Sequence, residues 1–293
     1  MSGLIDTPGI YELGMDEYHR QPTVGPSVSS SGLRRVENES PAHFWAYAKG
    51  LNPDAEERPG TGALDLGKAV HAFLFDDADE IARIVVRPDE FPDYRTKAAR
   101  EWRDAQRDSG NVIVDAPVLK SIRRMHDALE AEPGVAALLT AGEPEKSIIW
   151  QDAETGIWLK ARPDRLPSDG ILADLKTTRD ASPRGVQRSL SEYGYHMQMA
   201  LAAEGLEAVG RAPVTDAWLV FVESSLPHCV TVARIGDEMM EFGRMQCRRA
   251  LRRIADGLNT GRWPGYFEGP TTAYPPDYYF KRLTNEFEQG ALA

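Results

Sequence analysis

Residues 162–178 read Arg-Pro-Asp-Arg-Leu-Pro-Ser-Asp-Gly-Ile-Leu-Ala-Asp-Leu-Lys-Thr-Thr, and the order of acids, turn residues and lysine in this stretch decides how the chain is read. Pro167-Ser168-Asp169-Gly170 is a turn signal: Pro presets φ, Asp bonds its own backbone and Gly accepts left-handed conformations. The residues on either side predict strands over 156–166 and 171–177. A hairpin centred on Asp169 would set Asp164 opposite Asp174, and cross-strand partners have Cβ atoms roughly 4.5–5.5 Å apart. Asp174 and Lys176 alternate with Leu175 and so share one face of their strand. Two carboxylates and an ammonium are therefore expected on one patch. Facing carboxylates repel, and a hard divalent cation held by oxygen ligands removes that repulsion. Such a cation can polarise a phosphate and acidify a water, leaving Lys176 to orient or deprotonate a nucleophile or to neutralise phosphate charge. A solvent-facing polar hairpin has the same spacing and is the commoner case when spacing is the only signal.

Outward from this hairpin, Ser147–Gln151 alternates and predicts a preceding strand, making a three-stranded meander. A helix is expected over 189–206, then a strand pair over 217–223 and 228–233, then a long helix over 237–257. Upstream, helices are expected at Leu33-Arg34-Arg35-Val36, from Ser40-Pro41 through Tyr47, and over 63–76, 95–107, 116–130 and 135–140. Residues 1–30, rich in Gly, Pro and Ser, read as a flexible, extended arm. Residues 31–265 read as one domain, and 266–293 as a Pro- and aromatic-rich tail with no assigned structure. The order of elements predicts an α/β (α+β) fold with a helical N-terminal region.

With 42% apolar residues the 293-residue chain can build a sizeable core. It has no apolar run of membrane-spanning length, and its first residues do not read as a signal peptide. Cys229 and Cys247 form no CxxC pair, which disfavours zinc or iron–sulfur ligation and suits a reducing cytoplasm. The net charge of −11, from 34 basic and 45 acidic residues, argues against phosphate binding unless basic groups are gathered locally.

Arg162-Pro163-Asp164 followed by Asp174-Leu175-Lys176 resembles the signature of the PD-(D/E)XK nucleases. Further blocks occur in the order found in the exonuclease VIII type of phage recombination nuclease. They are Ser40-Pro41-Ala42-His43-Phe44, Leu66-Gly67-Lys68-Ala69-Val70-His71, Glu145-Lys146-Ser147 and Tyr195-His196-Met197-Gln198. With the 162–178 stretch they run from about residue 27 to 265. The resemblance implies a restriction-endonuclease-like core, a central mixed sheet flanked by helices. It implies Mg²⁺ or Mn²⁺, two ions per site, held by Asp164, Asp174 and the Leu175 carbonyl, with Lys176 assisting catalysis. It makes Glu145 the early acid of the site, with Glu143 a competitor. It places His71, otherwise readable as a core or surface histidine, beside the metal as ligand or phosphate contact. Gln198 would bond the attacking water or a phosphate. Similar enzymes carry a tyrosine where this chain has Ala202, and Tyr193 or Tyr195 could supply the aromatic contact.

The implied activity is an exodeoxyribonuclease that degrades one strand of linear duplex DNA 5′ to 3′, leaving 3′ single strands. Its implied partners are DNA ends, a single-strand annealing protein and further copies in a trimeric or tetrameric ring, with no membrane. A repair or CRISPR-adaptation nuclease is an alternative, although such members often carry four cysteines; a non-catalytic DNA-end-binding protein is another. Arg162 and Tyr195 are candidate DNA contacts. Arg244, Arg248 and Arg252, spaced by four, form a basic stripe that fits phosphate tracking and a solvated, acid-paired face equally well.

Overall fold

A computed structural model of the chain describes residues 3–56, 69–73, 81–144, 146–267 and 269–290. Its centre is a pair of sheets. The first has the order β1 (Gly9–Tyr11), β6 (Ser147–Gln151), β7 (Trp158–Ala161), β2 (Ser27–Ser29). The second runs β11 (Val230–Arg234), β10 (Asp216–Glu223), β9 (Ile171–Thr178). Two short pairs complete the strands: β3 (Ile84–Val86) beside β4 (Val112–Val114), and β5 (Glu143–Pro144) beside β8 (Arg165–Leu166).

Ten helices have defined bounds among the described residues. The N-terminal half holds α1 (Met15–His19), α2 (Ser30–Asn38), α3 (Pro41–Ala46), α4 (Lys97–Asp108), α5 (Ala116–Ala131) and α6 (Val135–Thr140). The rest are α7 (Pro183–Tyr193), α8 (Tyr195–Ala208), α9 (Asp237–Thr260) and α10 (Asp277–Gly290). Residues 69–73 are also helical. Three of the helices start with a side-chain cap: Ser40, Thr96 and Ser182 each accept from the backbone N–H three residues on.

β9 and β10 run parallel, with Leu219 opposite Asp174 and Phe221 opposite Lys176. Parallel neighbours need a long crossover, and α7 and α8 supply it. Alternation along β9 then sorts its side chains. Leu172 packs into the core shared with α8 and α9, whereas Ala173 and Leu175 pack against Ile122, Met125 and Leu129 of α5. Both faces of β9 are covered, so Asp174 and Lys176, on the Leu172 face, point under α8. That helix is apolar on all sides, as burial on all sides demands. It crosses α9 closely at Gly243, where a Cβ would stand 2.7 Å from the His196 carbonyl oxygen.

Several expectations change. β9 does not close a meander with β6 and β7: those two pair antiparallel as expected, but β9 belongs to the other sheet and β8 pairs with β5. The helix expected over 189–206 is two helices, because Gly194 adopts φ 62° and ends the first. Gly205 lies inside α8, where its missing side chain admits the Trp150 ring. The arm of residues 1–30 is extended but built in: β1 and β2 form the two edges of the first sheet. The tail contains a helix, α10. The helix expected over 63–76 falls largely outside the described residues.

Candidate active site

Asp174 is buried at 2% exposure, and its two oxygens are treated differently. Oδ1 accepts from Gln198 Nε2 at 2.7 Å. Oδ2 has the Lys176 ammonium at 2.5 Å, yet off the direction of a hydrogen bond, and is left without a donor. Lys176 Nζ donates instead to Gln198 Oε1 at 3.1 Å. One glutamine on α8 thus bridges the acid and the base of β9, with its amide oriented by both. The Tyr195 ring closes the other side of the lysine, its centroid 4.6 Å from Nζ. Burial pushes the Tyr195 hydroxyl up to about 12, so it stays protonated.

Asp164 reaches this cluster by a route other than the expected ladder. It lies in the loop before β8, and its Oδ2 accepts from the Leu175 backbone N–H at 2.9 Å. β9 is free to donate there because its partner β10 lies on the other side. His71 completes the group: Nδ1 is 3.6 Å from Asp164 Oδ1, and Nε2 is 3.3 Å from the Leu175 carbonyl oxygen. Burial, and then the neighbouring Asp174 charge, push the Asp164 carboxyl up to about 6.

These features test whether a cation fits. A buried carboxylate oxygen without a donor, beside a second carboxylate whose charge is disfavoured, is a place that calls for positive charge. The donors available are carboxylate and carbonyl oxygens, the set preferred by hard divalent ions. Among the described residues no three of His, Cys, Asp and Glu gather into a ready-made cluster. The donors for an ion are therefore Asp164, Asp174 and the Leu175 carbonyl. Glu145, the further acid expected here, lies outside the described residues, as does Gly67. Glu143 is on β5 and pairs with Arg211 at 3.6 Å. The residues present fit a divalent cation.

A family model described as a PDDEXK-like domain of unknown function (DUF3799) matches residues 29–271. The chain belongs to that PDDEXK-like family. Among solved structures, it is similar to a Eubacterium rectale protein provisionally described as an exonuclease. The TM-score is 0.63 at 12% identity, over 92% of this chain and 97% of that one, which shows a shared fold. A weaker overlap, with an alkaline exonuclease from Laribacter hongkongensis, has a TM-score of 0.25 at 14% identity over 66% of this chain and 88% of that one. At that score it carries no argument. Among curated proteins no relative matches the sequence.

Within this PDDEXK-like fold, the candidate DNA contacts separate. Tyr195 is at the site. Arg162 is not turned to solvent: its Nη1 donates to the Leu13 carbonyl at 2.6 Å and to Ser147 Oγ at 3.3 Å, tying the N-terminal segment to the sheet. The α9 stripe is paired with acids. Arg244 meets Glu241 at 3.2 Å, Arg252 meets Glu154 at 2.6 Å, and Arg248 meets Asp152 at 2.5 Å and Glu204 at 3.5 Å. Burial raises the Asp152 carboxyl, but hydrogen bonds from Arg248 and Thr155 outweigh it and hold the group below the usual carboxylate range. Trp45, weighed as a base wedge, stacks on Trp263 at 4.4 Å.

Sequence reasoning passed over Arg34. From α2 its Nη1 donates to the Tyr193 carbonyl at 2.8 Å, and its charge acts on both Tyr195 and Asp174. Burial lowers the Arg34 pKa against those two favourable neighbours. The sequence signal was faint: one arginine between Leu33 and Val36, on a helix whose partner is more than 150 residues away. Gly194 makes room for it, since a Cβ there would stand 3.2 Å from Arg34 Cδ.

Proposed function

We propose that this PDDEXK-like protein is a divalent-cation-dependent nuclease that works from the ends of linear duplex DNA. The observation that carries this is the bridged arrangement of Asp174, Gln198 and Lys176, with Asp164 locked onto the Leu175 N–H beside it. Phosphodiester hydrolysis needs water held in line with the leaving oxygen and positive charge at the phosphate oxygens. Lys176 is positioned for the second task. Its ammonium is fixed between Asp174 and Gln198 and pressed by the Tyr195 ring, so little reorganisation is needed as charge develops. Gln198 holds the lysine and the aspartate at a set separation, and its own amide orientation is determined by the two. Asp164, Asp174 and the Leu175 carbonyl would hold Mg²⁺ or Mn²⁺, one ion or two. When bound, the cation supplies Lewis acidity to the phosphate and to a water. Arg34, half-buried at the rim, adds a second positive charge on the side of α2.

The finer reading takes one strand in the 5′ to 3′ direction and leaves a 3′ single strand for a single-strand annealing protein, in the cytoplasm of a bacterial cell. The ordered sequence blocks described above support it. The test is digestion of linear duplex DNA labelled at the 5′ or the 3′ end, with Mg²⁺, with Mn²⁺ and with EDTA, using the natural protein and Lys176→Ala. We expect label loss from the 5′ end first, none with EDTA, and a loss of roughly 10²–10⁴-fold in rate for the variant, the size usual for a positioned proton-transfer or charge-stabilising group. Digestion from the 3′ end would reverse the polarity. No digestion by folded protein with either ion would replace the nuclease by an end-binding protein.

A further inference from the structure

Two apolar surfaces on this chain lack a partner, and they have the same length. One is α10. Phe280, Leu283 and Phe287 fall at positions i, i+3 and i+7 and make a single ridge. Phe280 is 57% and Phe287 74% exposed. The other is a groove of about 880 Å³ along α9. Met239, Phe242 and Met245 line its first half, with Phe242 46% and Met245 58% exposed. Arg249, Arg252 and Arg253 line its second half.

We propose that α10 of one copy lies in the α9 groove of a second copy. Helix geometry at ~1.5 Å per residue makes α10 roughly 21 Å long, and the step from Met239 to Arg253 is also about 21 Å. Charge sets the direction. The last two turns of α10 carry Glu286 and Glu288 and no base, and Glu288 flanks the ridge. A parallel alignment lays Phe280 and Leu283 over Phe242 and Met245 and brings the two glutamates to the arginine end. Those arginines keep their exposure while paired: the Arg249 and Arg252 side chains are each 60% open. In the antiparallel alignment the same glutamates meet Asp237, Glu238 and Glu241, and like charges repel. The surfaces on the two copies differ, so the contact is head-to-tail, and its repetition gives a closed ring or a filament. This contact does not depend on the nuclease reading, since its readout is mass.

Analytical ultracentrifugation of the full chain tests it with two double variants. One carries Phe280→Asp with Phe287→Asp, the other Phe242→Asp with Met245→Asp. All four positions are exposed, so the fold is expected to survive, as circular dichroism would verify. The natural protein should sediment as an oligomer and each variant as a monomer. Mixed in equal amounts, the two variants should form a dimer and go no further, because one retains the ridge and the other the groove. A monomeric natural protein would overturn the proposal, whether α10 folds into its own groove or serves a different partner. So would variants that stay oligomeric, or a mixture that forms no dimer.

Discussion

Lys160 is a buried amine at 5% exposure, with no carboxylate in its ion-pair contacts. It donates to the Tyr18 and Arg20 carbonyls, each at 2.7 Å, under the Tyr18 ring. A neutral amine has two N–H groups and so satisfies both carbonyls. Burial accordingly lowers its pKa to about 8. The unfolded chain keeps this proton up to its ordinary value, so between about 8 and that value the unfolded state binds more protons and stability rises with pH. Below about 8 the folded protein bears the cost of a buried charge. At ~1.4 kcal/mol per pKa unit the whole effect is about 3 kcal/mol. Urea unfolding of the natural protein and Lys160→Met from pH 7 to 10 should show the difference in stability moving in favour of the lysine as pH rises. A difference independent of pH would mean the lysine is charged throughout.

At the scale of the element, α9 shows why a basic stripe is a poor guide to a DNA path. Its arginines reach Asp152 and Glu154 at the β6–β7 turn, Glu204 on α8 and Glu37 on α2. They fasten one helix to three neighbours. Arg248 matters most because Asp152 is buried. Breaking a fully buried pair costs roughly 3–5 kcal/mol, and with Arg248 partly open we expect about 2–3 kcal/mol for Arg248→Ala. The expected result is a lower urea midpoint together with an unchanged salt dependence of DNA binding. If Arg248 instead holds a phosphate, the slope of log affinity against log salt should fall by about 1.

For the molecule as a whole, the N-terminal thirty residues are part of the architecture. β1 and β2 cover both edges of the first sheet, while Lys160 and Arg162 donate into the segment between them. Deleting residues 1–29 would expose two edge strands and strip acceptors from two buried cations. We expect the truncated protein to aggregate or to lose its cooperative thermal transition. A truncated protein that melts like the full chain would return these residues to the status of an arm. The net charge of −11 belongs to this scale too. It says little about the site, where Lys176 and Arg34 supply the local field. No helix among the described residues is long and apolar enough to cross a membrane.

Much of this was legible in the chain. Asp164, Asp174 and Lys176 stood out because a turn, a two-residue alternation and a motif all agreed. The β10–β11 pair, α5, α6 and α9 followed from periodicity, which reflects burial of one face by local geometry. The sequence by itself also determined that Gln198 and Tyr195 sit on the helix after the motif. Tertiary structure alone decided how the acids meet. Asp164 binds the backbone of β9 rather than facing it across a ladder, because a parallel partner had already taken the other edge of that strand. It decided as well that Arg34 joins the site, that Arg162 and the α9 arginines are spent on packing, and that residues 9–11 and 27–29 are sheet edges. Each of these rests on which distant segment reaches a side chain or strand edge first. Spacing along a chain records the faces of its elements, whereas the partner of each face is chosen by the packing of all of them together.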